Sequence, residues 1–177
     1  MAERIKPRTK VGGAQDRVRE ARKTKAVART AAREAQEFRV ERWMTMPVIT
    51  IRPRDSVAHA RAILEEHRIN QLPVVVNRRL VGIVTDRDLR DAPRAVEISA
   101  KVSGADIAPV EATPEQIPVE EVMTAKVLTL APSDTLQQAA ELMRRERIGA
   151  VPIVERGRLV GILTRSDILG AFTKLCR

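Results

Sequence analysis

The chain has 177 residues, 44% of them apolar, and 32 Lys plus Arg against 23 Asp plus Glu give it a formal charge of +9. That size suits one domain or two small ones. Residues 1 to 42 hold 13 basic and 6 acidic side chains, so +7 of the charge sits there and the rest of the chain is nearly neutral. The basicity therefore belongs to an arm. Phe38, Trp43 and Phe172 are the only aromatic residues, too few for a single-strand reader that stacks bases on rings. A single cysteine, Cys176, excludes an internal disulfide and a Cys-rich metal site, and suits a reducing compartment. No run approaches the roughly 18 apolar residues of a membrane span, and the opening residues lack the apolar stretch of a signal peptide. The expectation is a soluble, cytoplasmic protein with no membrane span.

From about Ala14 the arm, residues 1–40, has helix-forming composition. Its apolar side is mostly alanine (Ala14, Ala21, Ala28, Ala32, Ala35), which gains little from burial. Beyond it an internal repeat organises the chain: residues 41–91 align without a gap with 120–170 at an offset of 79, with 19 of 51 paired positions identical. A 50-residue unit buries too little surface to stand alone, so the copies should pack as one body about a pseudo-twofold axis.

Each copy opens with a β-branched or apolar run ended by proline, Val48–Ile51 or Val127–Leu130, which predicts a short strand. Asp55-Ser56 and Asp134-Thr135 offer N-caps to a helix whose core face carries Val57, Ala60 and Leu64, or Leu136, Ala139 and Met143. Two strands follow, Leu72–Val76 and Leu80–Val84, then Val151–Val154 and Leu159–Leu163, joined by tight turns at Asn77-Arg78 and Arg156-Gly157. A last helix begins at Thr85-Asp86-Arg87-Asp88 or Thr164-Arg165-Ser166-Asp167. The fold class is α/β: two βαββα repeats, 41–91 and 119–177, packed through their sheets, joined by an exposed proline-bearing linker, 92–118.

Thr-x-x-Asp at a helix start is a capping box, with the hydroxyl on an orphan N–H and the acid at the third helical position. A helix start in a cleft also attracts phosphate, and a carboxylate accepts both hydrogen bonds of a ribose diol. The two roles are compatible.

In Met44-Thr45, Ile69-x-x-Leu72-Pro73-Val74-Val75, Ile148-x-x-Val151-Pro152-Ile153-Val154 and both Gly-Ile-h-Thr-x-x-Asp signatures, residues 41 to about 172 resemble a tandem pair of cystathionine-β-synthase (CBS) domains, a Bateman module. The resemblance implies two clefts for adenosyl ligands such as AMP, ADP, ATP or S-adenosylmethionine, no catalytic cofactor, and pairing of modules into a homodimer. It implies that Thr85 and Asp88 hold one ribose with Ile83 beside the adenine, and that Thr164, Asp167 and Ile162 do the same in the other cleft. Each cleft would borrow from the opposite repeat: Thr124, Thr129, Ile148, Gly149 and Ala150 in the first, and Thr45, Thr50, Ile69, Asn70 and Gln71 in the second. Nucleotide-binding members often place His or Arg before the Leu-Pro or Val-Pro step. Here those positions are Asn70-Gln71 and Gly149-Ala150, so Arg87 and Arg165 are the residues left within the signatures to meet a phosphate.

His59 and His67, on one helix at i, i+8, lack metal-pair spacing, and no nucleophile elbow or phosphate-cradling glycine loop is present. The reading is a regulatory, non-enzymatic protein that passes ligand state to an unidentified partner. The alternative places function in the arm, where Arg17, Arg19, Arg22, Lys23, Lys25, Arg29 and Arg33 would bind nucleic acid or a ribosome without reading sequence, with the paired domains as a dimerisation scaffold.

Overall fold

The computed structural model describes residues 36–92 and 113–175. The arm expected to be helical, with its arginines, most of the linker and Cys176 lie outside the described residues. From Arg39 onward the chain forms one compact unit, in which each repeat presents a helix, a hairpin and a second helix. In the first repeat these are α1 (Val57–His67), β1 (Gln71–Val76), β2 (Arg79–Thr85) and α2 (Asp86–Arg90). In the second they are α3 (Leu136–Glu146), β3 (Ala150–Glu155), β4 (Arg158–Thr164) and α4 (Arg165–Leu175).

Local chemistry accounts for each element. Ser56 Oγ accepts from His59 N–H at the start of α1, whereas Thr135 and Gln138 form a reciprocal capping box on α3. Asp55 and Asp134 are not the caps. Their carboxylates accept from Arg52 N–H and Ala131 N–H, at 2.9 and 2.7 Å, and close the turn before each helix. Both hairpin turns have two residues at positive φ, Asn77 (51°) and Arg78 (65°), then Arg156 (49°) and Gly157 (76°), the backbone of a type I′ turn. Register shifts between Val74 and Val75, and between Ile153 and Val154, put a bulge at the same place in both hairpins.

The opening strands shrink to single residues. Ile51 bridges Val74 in parallel and Leu130 bridges Ile153, but Val48–Thr50 and Val127–Thr129 are not strand. Prolines set the limit on both sides. Ile51 N–H donates to the Pro73 carbonyl and Val75 N–H to the Ile51 carbonyl. One step back the parallel ladder would need an N–H from Pro73, and one step on it would need one from Pro53. Pro152 and Pro132 do the same around Leu130.

The repeats exchange their leading segments. Val40 N–H and Glu41 N–H donate to Asp134 and Pro132 of the second repeat, and Thr45 pairs with Ile162 on β4. Reciprocally, Val119 N–H and Glu120 N–H donate to Asp55 and Pro53, and Thr124 pairs with Ile83 on β2. The cores follow the exchange. Ile117 and Val119 are buried with Ile51, Leu72, Val84 and Leu89, while Val40 is buried with Leu136, Met143, Val151 and Leu163. So residues 113–118, expected as exposed linker, carry Ile117 at 1% exposure, and Val40, expected at the end of the arm, is core. Trp43 packs on the second repeat's core, with Lys174 Nζ 5.6 Å from its ring centroid. β2 and β4 touch, and Leu159 N–H donates to the Arg78 carbonyl, joining the hairpins.

This crossing explains the shared Met-Thr and Gly-Ile motifs. A Cβ built on Gly82 would collide with Met123 Sδ and lie 3.0 Å from its Cγ, and one on Gly161 would collide with Met44 in the same way. Each glycine is the flat seat for a methionine from the other repeat.

Candidate functional site

Thr85 and Asp88 stand where β2 enters α2. Asp88 Oδ2 accepts from Thr85 N–H at 2.8 Å and from Thr85 Oγ1 at 2.7 Å, while Asp88 N–H donates to Thr85 Oγ1 at 3.3 Å. The capping box is therefore built. Both bonds to the carboxylate fall on Oδ2, so Oδ1 takes part in neither. Thr164 and Asp167 repeat the arrangement at 2.7, 2.7 and 3.3 Å. A half-buried carboxylate held this firmly can accept further hydrogen bonds without losing the cap that orients it.

A cavity of about 280 Å³ opens onto the first of these helix starts, at the small end of the ~300–1,000 Å³ range of ligand pockets. Ile83, Thr85 and Asp88 line it from the first repeat, and Thr124, Ile148, Gly149 and Ala150 from the second. Segment exchange brings Thr124 there, because its pairing with Ile83 adds the chain after residue 123 to the edge of β2. Gln71, expected in the second cleft, lines this one, and Thr129, expected here, is not among the lining residues. Lys126, Val127 and Leu128 take that place. Arg147 completes the wall from the left-handed cap of α3, at φ 57°.

Lys126 and Arg147 are the residues that sequence reasoning missed. Arg87, expected to meet a phosphate, is exposed and does not line the cavity. Arg165 turns outward: its Nε–H donates to the Ile148 carbonyl at 3.2 Å, and its side chain lines a groove between α3 and α4. The signal for Lys126 was a break in repeat symmetry, since Pro47 occupies the paired position.

In the second repeat, Thr45 reaches Ile162, so Thr45, Ile162, Thr164 and Asp167 are placed as their partners are in the first. The walls differ. Pro47 stands where the first repeat's cleft has Lys126, and Asn70, expected in the second cleft, instead lines a groove beside α1 with Glu65 and Asp86. Thr50 is half-buried beside Ile51, and Ile69 packs against the first core. A larger hollow, about 650 Å³, lies beside Arg52, Asp55, Asn77 and Glu120 and contains neither helix start. Among the described residues no group of three or more His, Cys, Asp or Glu is placed to hold a metal ion, and no helix is long and apolar enough to cross a membrane.

These features define a twin-repeat module with a capped helix start facing a cleft that the opposite repeat completes. Residues 40–95 and 119–174 each match the CBS domain model, and the chain belongs to the CBS domain family as a tandem pair. It is 36% identical over 131 residues to an inosine-5′-monophosphate dehydrogenase of Korarchaeum cryptofilum, covering 73% of this chain but 23% of that enzyme. It is 30% identical over 125 residues to the CBS domain-containing protein YhcV of Bacillus subtilis, covering 71% of this chain and 79% of that protein. Among solved structures it is similar to CBSX2 in complex with AMP (TM-score 0.63, 27% identity, 79% of this chain and 99% of that one). It is likewise similar to the CBS domain pair of MJ0100 in complex with 5′-methylthioadenosine and S-adenosyl-L-methionine (TM-score 0.62, 30% identity, 77% and 97%).

Proposed function

We propose that the protein is a regulatory ligand sensor without catalytic activity of its own, a self-pairing module that binds an anionic adenosyl nucleotide in the first cleft. Its ligand state would then be passed to a partner protein. The observation that carries the reading is the meeting of Lys126 and Arg147 with the Thr85–Asp88 helix start in one cavity between the repeats. Asp88 would accept from the ribose diol and Ile83 would lie against the base. The two cations would take a phosphate through charge-assisted bonds, about twice as strong as neutral ones. The similar structures that hold AMP, or 5′-methylthioadenosine and S-adenosylmethionine, support adenosyl chemistry as the class of ligand.

The first helix start is met by Lys126 where the paired position in the second repeat's surroundings is Pro47, and this favours one nucleotide per chain over two. Titration calorimetry of the full chain with AMP, ADP, ATP, S-adenosylmethionine and adenosine tests the reading. The expected result is one site per chain, with AMP bound more tightly than adenosine and the preference shrinking as salt rises. A ligand that prefers the folded state must also raise the melting temperature. Equal affinity for AMP and adenosine would overturn the role of the two cations, and no binding across the panel would leave both Thr-x-x-Asp boxes as caps alone.

A further inference from the structure

The two repeats carry matching grooves on their helical faces, and the grooves differ in charge. In the second repeat the groove between α3 and α4 has a volume of about 440 Å³ and is lined by Met143 and Ile168 with Arg144, Arg147 and Arg165, and no acid. The groove at the paired place in the first repeat, about 520 Å³, is lined by Leu64 and Ile69 with Glu65 and Asp86 as well as Arg61 and Arg68. Under the 79-residue correspondence Glu65 stands where the second repeat has Arg144, and Asp86 where it has Arg165. The sign of the charge reverses at two paired positions.

An apolar ridge flanks the basic groove. Leu169 and Phe172, one turn apart on α4, are 66% and 65% exposed, the kind of surface that marks an interaction site when it is rimmed by polar groups. In the α1–α2 groove two acids balance two arginines, and one of those arginines, Arg61, is already committed to the Leu89 carbonyl. Asp86 is held by Arg90 at 2.8 Å in an exposed i, i+4 pair, which is weak enough to be exchanged.

We propose that the module pairs with a second copy of itself in antiparallel fashion, the α3–α4 groove of one copy seated on the α1–α2 groove of the other. A twofold axis makes this contact twice and closes the assembly as a dimer. The antiparallel arrangement sets Arg144 and Arg165 against Glu65 and Asp86. The parallel arrangement would set three arginines against three, and such like-charge juxtaposition is what suppresses wrong pairing. This orientation rests on the self-pairing proposed above.

The experiment uses the full chain with Cys176→Ser, carrying either Asn70→Cys in the α1–α2 groove or Leu169→Cys in the α3–α4 groove, with a short thiol-to-thiol cross-linker. Sedimentation establishes the oligomeric state first. The expected result is a dimer in which a mixture of the two variants cross-links 70 to 169, while either variant alone does not. Cross-linking of Leu169→Cys with itself would overturn the antiparallel orientation and leave the dimer standing. A monomer in sedimentation would overturn both, and a dimer without either cross-link would place the interface elsewhere and overturn this proposal. As a second arm, Arg144→Glu with Arg165→Glu should weaken dimerisation about tenfold, and adding Glu65→Arg with Asp86→Arg in the same chain should restore it.

Discussion

The two clefts share a frame and differ in their furnishing. Both have a Thr-x-x-Asp box with hydrogen bonds of the same lengths within a tenth of an ångström, both take a Met-Thr segment from the other repeat, and both seat a methionine on a glycine. Only the first pairs its box with Lys126. At the matching place the second has Pro47. The lesson is that the fold is maintained by what the repeats keep in common, whereas the proposed ligand selectivity lies in the positions where they have parted. Backbone pairing and core packing require the shared residues twice over; a phosphate requires its cation once.

The comparison breaks most easily at the carboxylates. Asp88→Ala should weaken nucleotide binding by about a hundredfold, roughly 2.7 kcal/mol, because two charge-assisted hydrogen bonds are lost. Asp167→Ala should leave the binding isotherm close to that of the native chain. Calorimetry of the two variants side by side checks this, and an equal loss in both would mean that both clefts are occupied.

Next in size, Gly82→Ala and Gly161→Ala should each destabilise the fold by about 1–3 kcal/mol in urea denaturation, because the new methyl group overpacks against Met123 or Met44. Near-equal losses would sharpen the view that the frame is symmetric. Lys126→Ala should cost AMP about tenfold in affinity, roughly 1.4 kcal/mol, and leave adenosine unaffected. A parallel loss for adenosine would mean that Lys126 shapes the pocket and does not serve the phosphate.

The smallest effect concerns the hairpins. Arg78 sits at φ 65° where the second repeat has Gly157. Arg78→Gly should stabilise the chain by about 0.5 kcal/mol, since relief of the left-handed conformation slightly exceeds glycine's extra chain entropy. Thermal unfolding of the single variant reads it directly.

Much of this structure is legible in the sequence. The helices were visible in their caps and apolar spacing, and the hairpins in Asn77-Arg78 and Arg156-Gly157, because those are local choices of backbone and side chain. The opening strands are shorter than their composition predicts. Val48–Ile51 has strand composition, but a ladder is made between segments, and the prolines at 53 and 73 leave only Ile51 able to pair in it. The helix-start residues of each site were equally legible, because the Thr-x-x-Asp signature is local. Lys126 and Arg147 were not, because they reach the first cleft only after the segment around Thr124 crosses to the edge of β2.

By itself the sequence determined that there are two copies of one unit and where each helix begins and turns. All of these depend on interactions within a few positions or on the repeat itself. The family resemblance already implied that Thr45 goes to the second repeat and Thr124 to the first; tertiary structure decided that the flanking segments cross as well, Val40 into the second core and Ile117 into the first. The physical reason is that each hairpin leaves one strand edge unpaired and one core incompletely filled, and the segment that satisfies both comes from the neighbour. That exchange carries Lys126 to the opposite helix start and makes a cleft out of two surfaces.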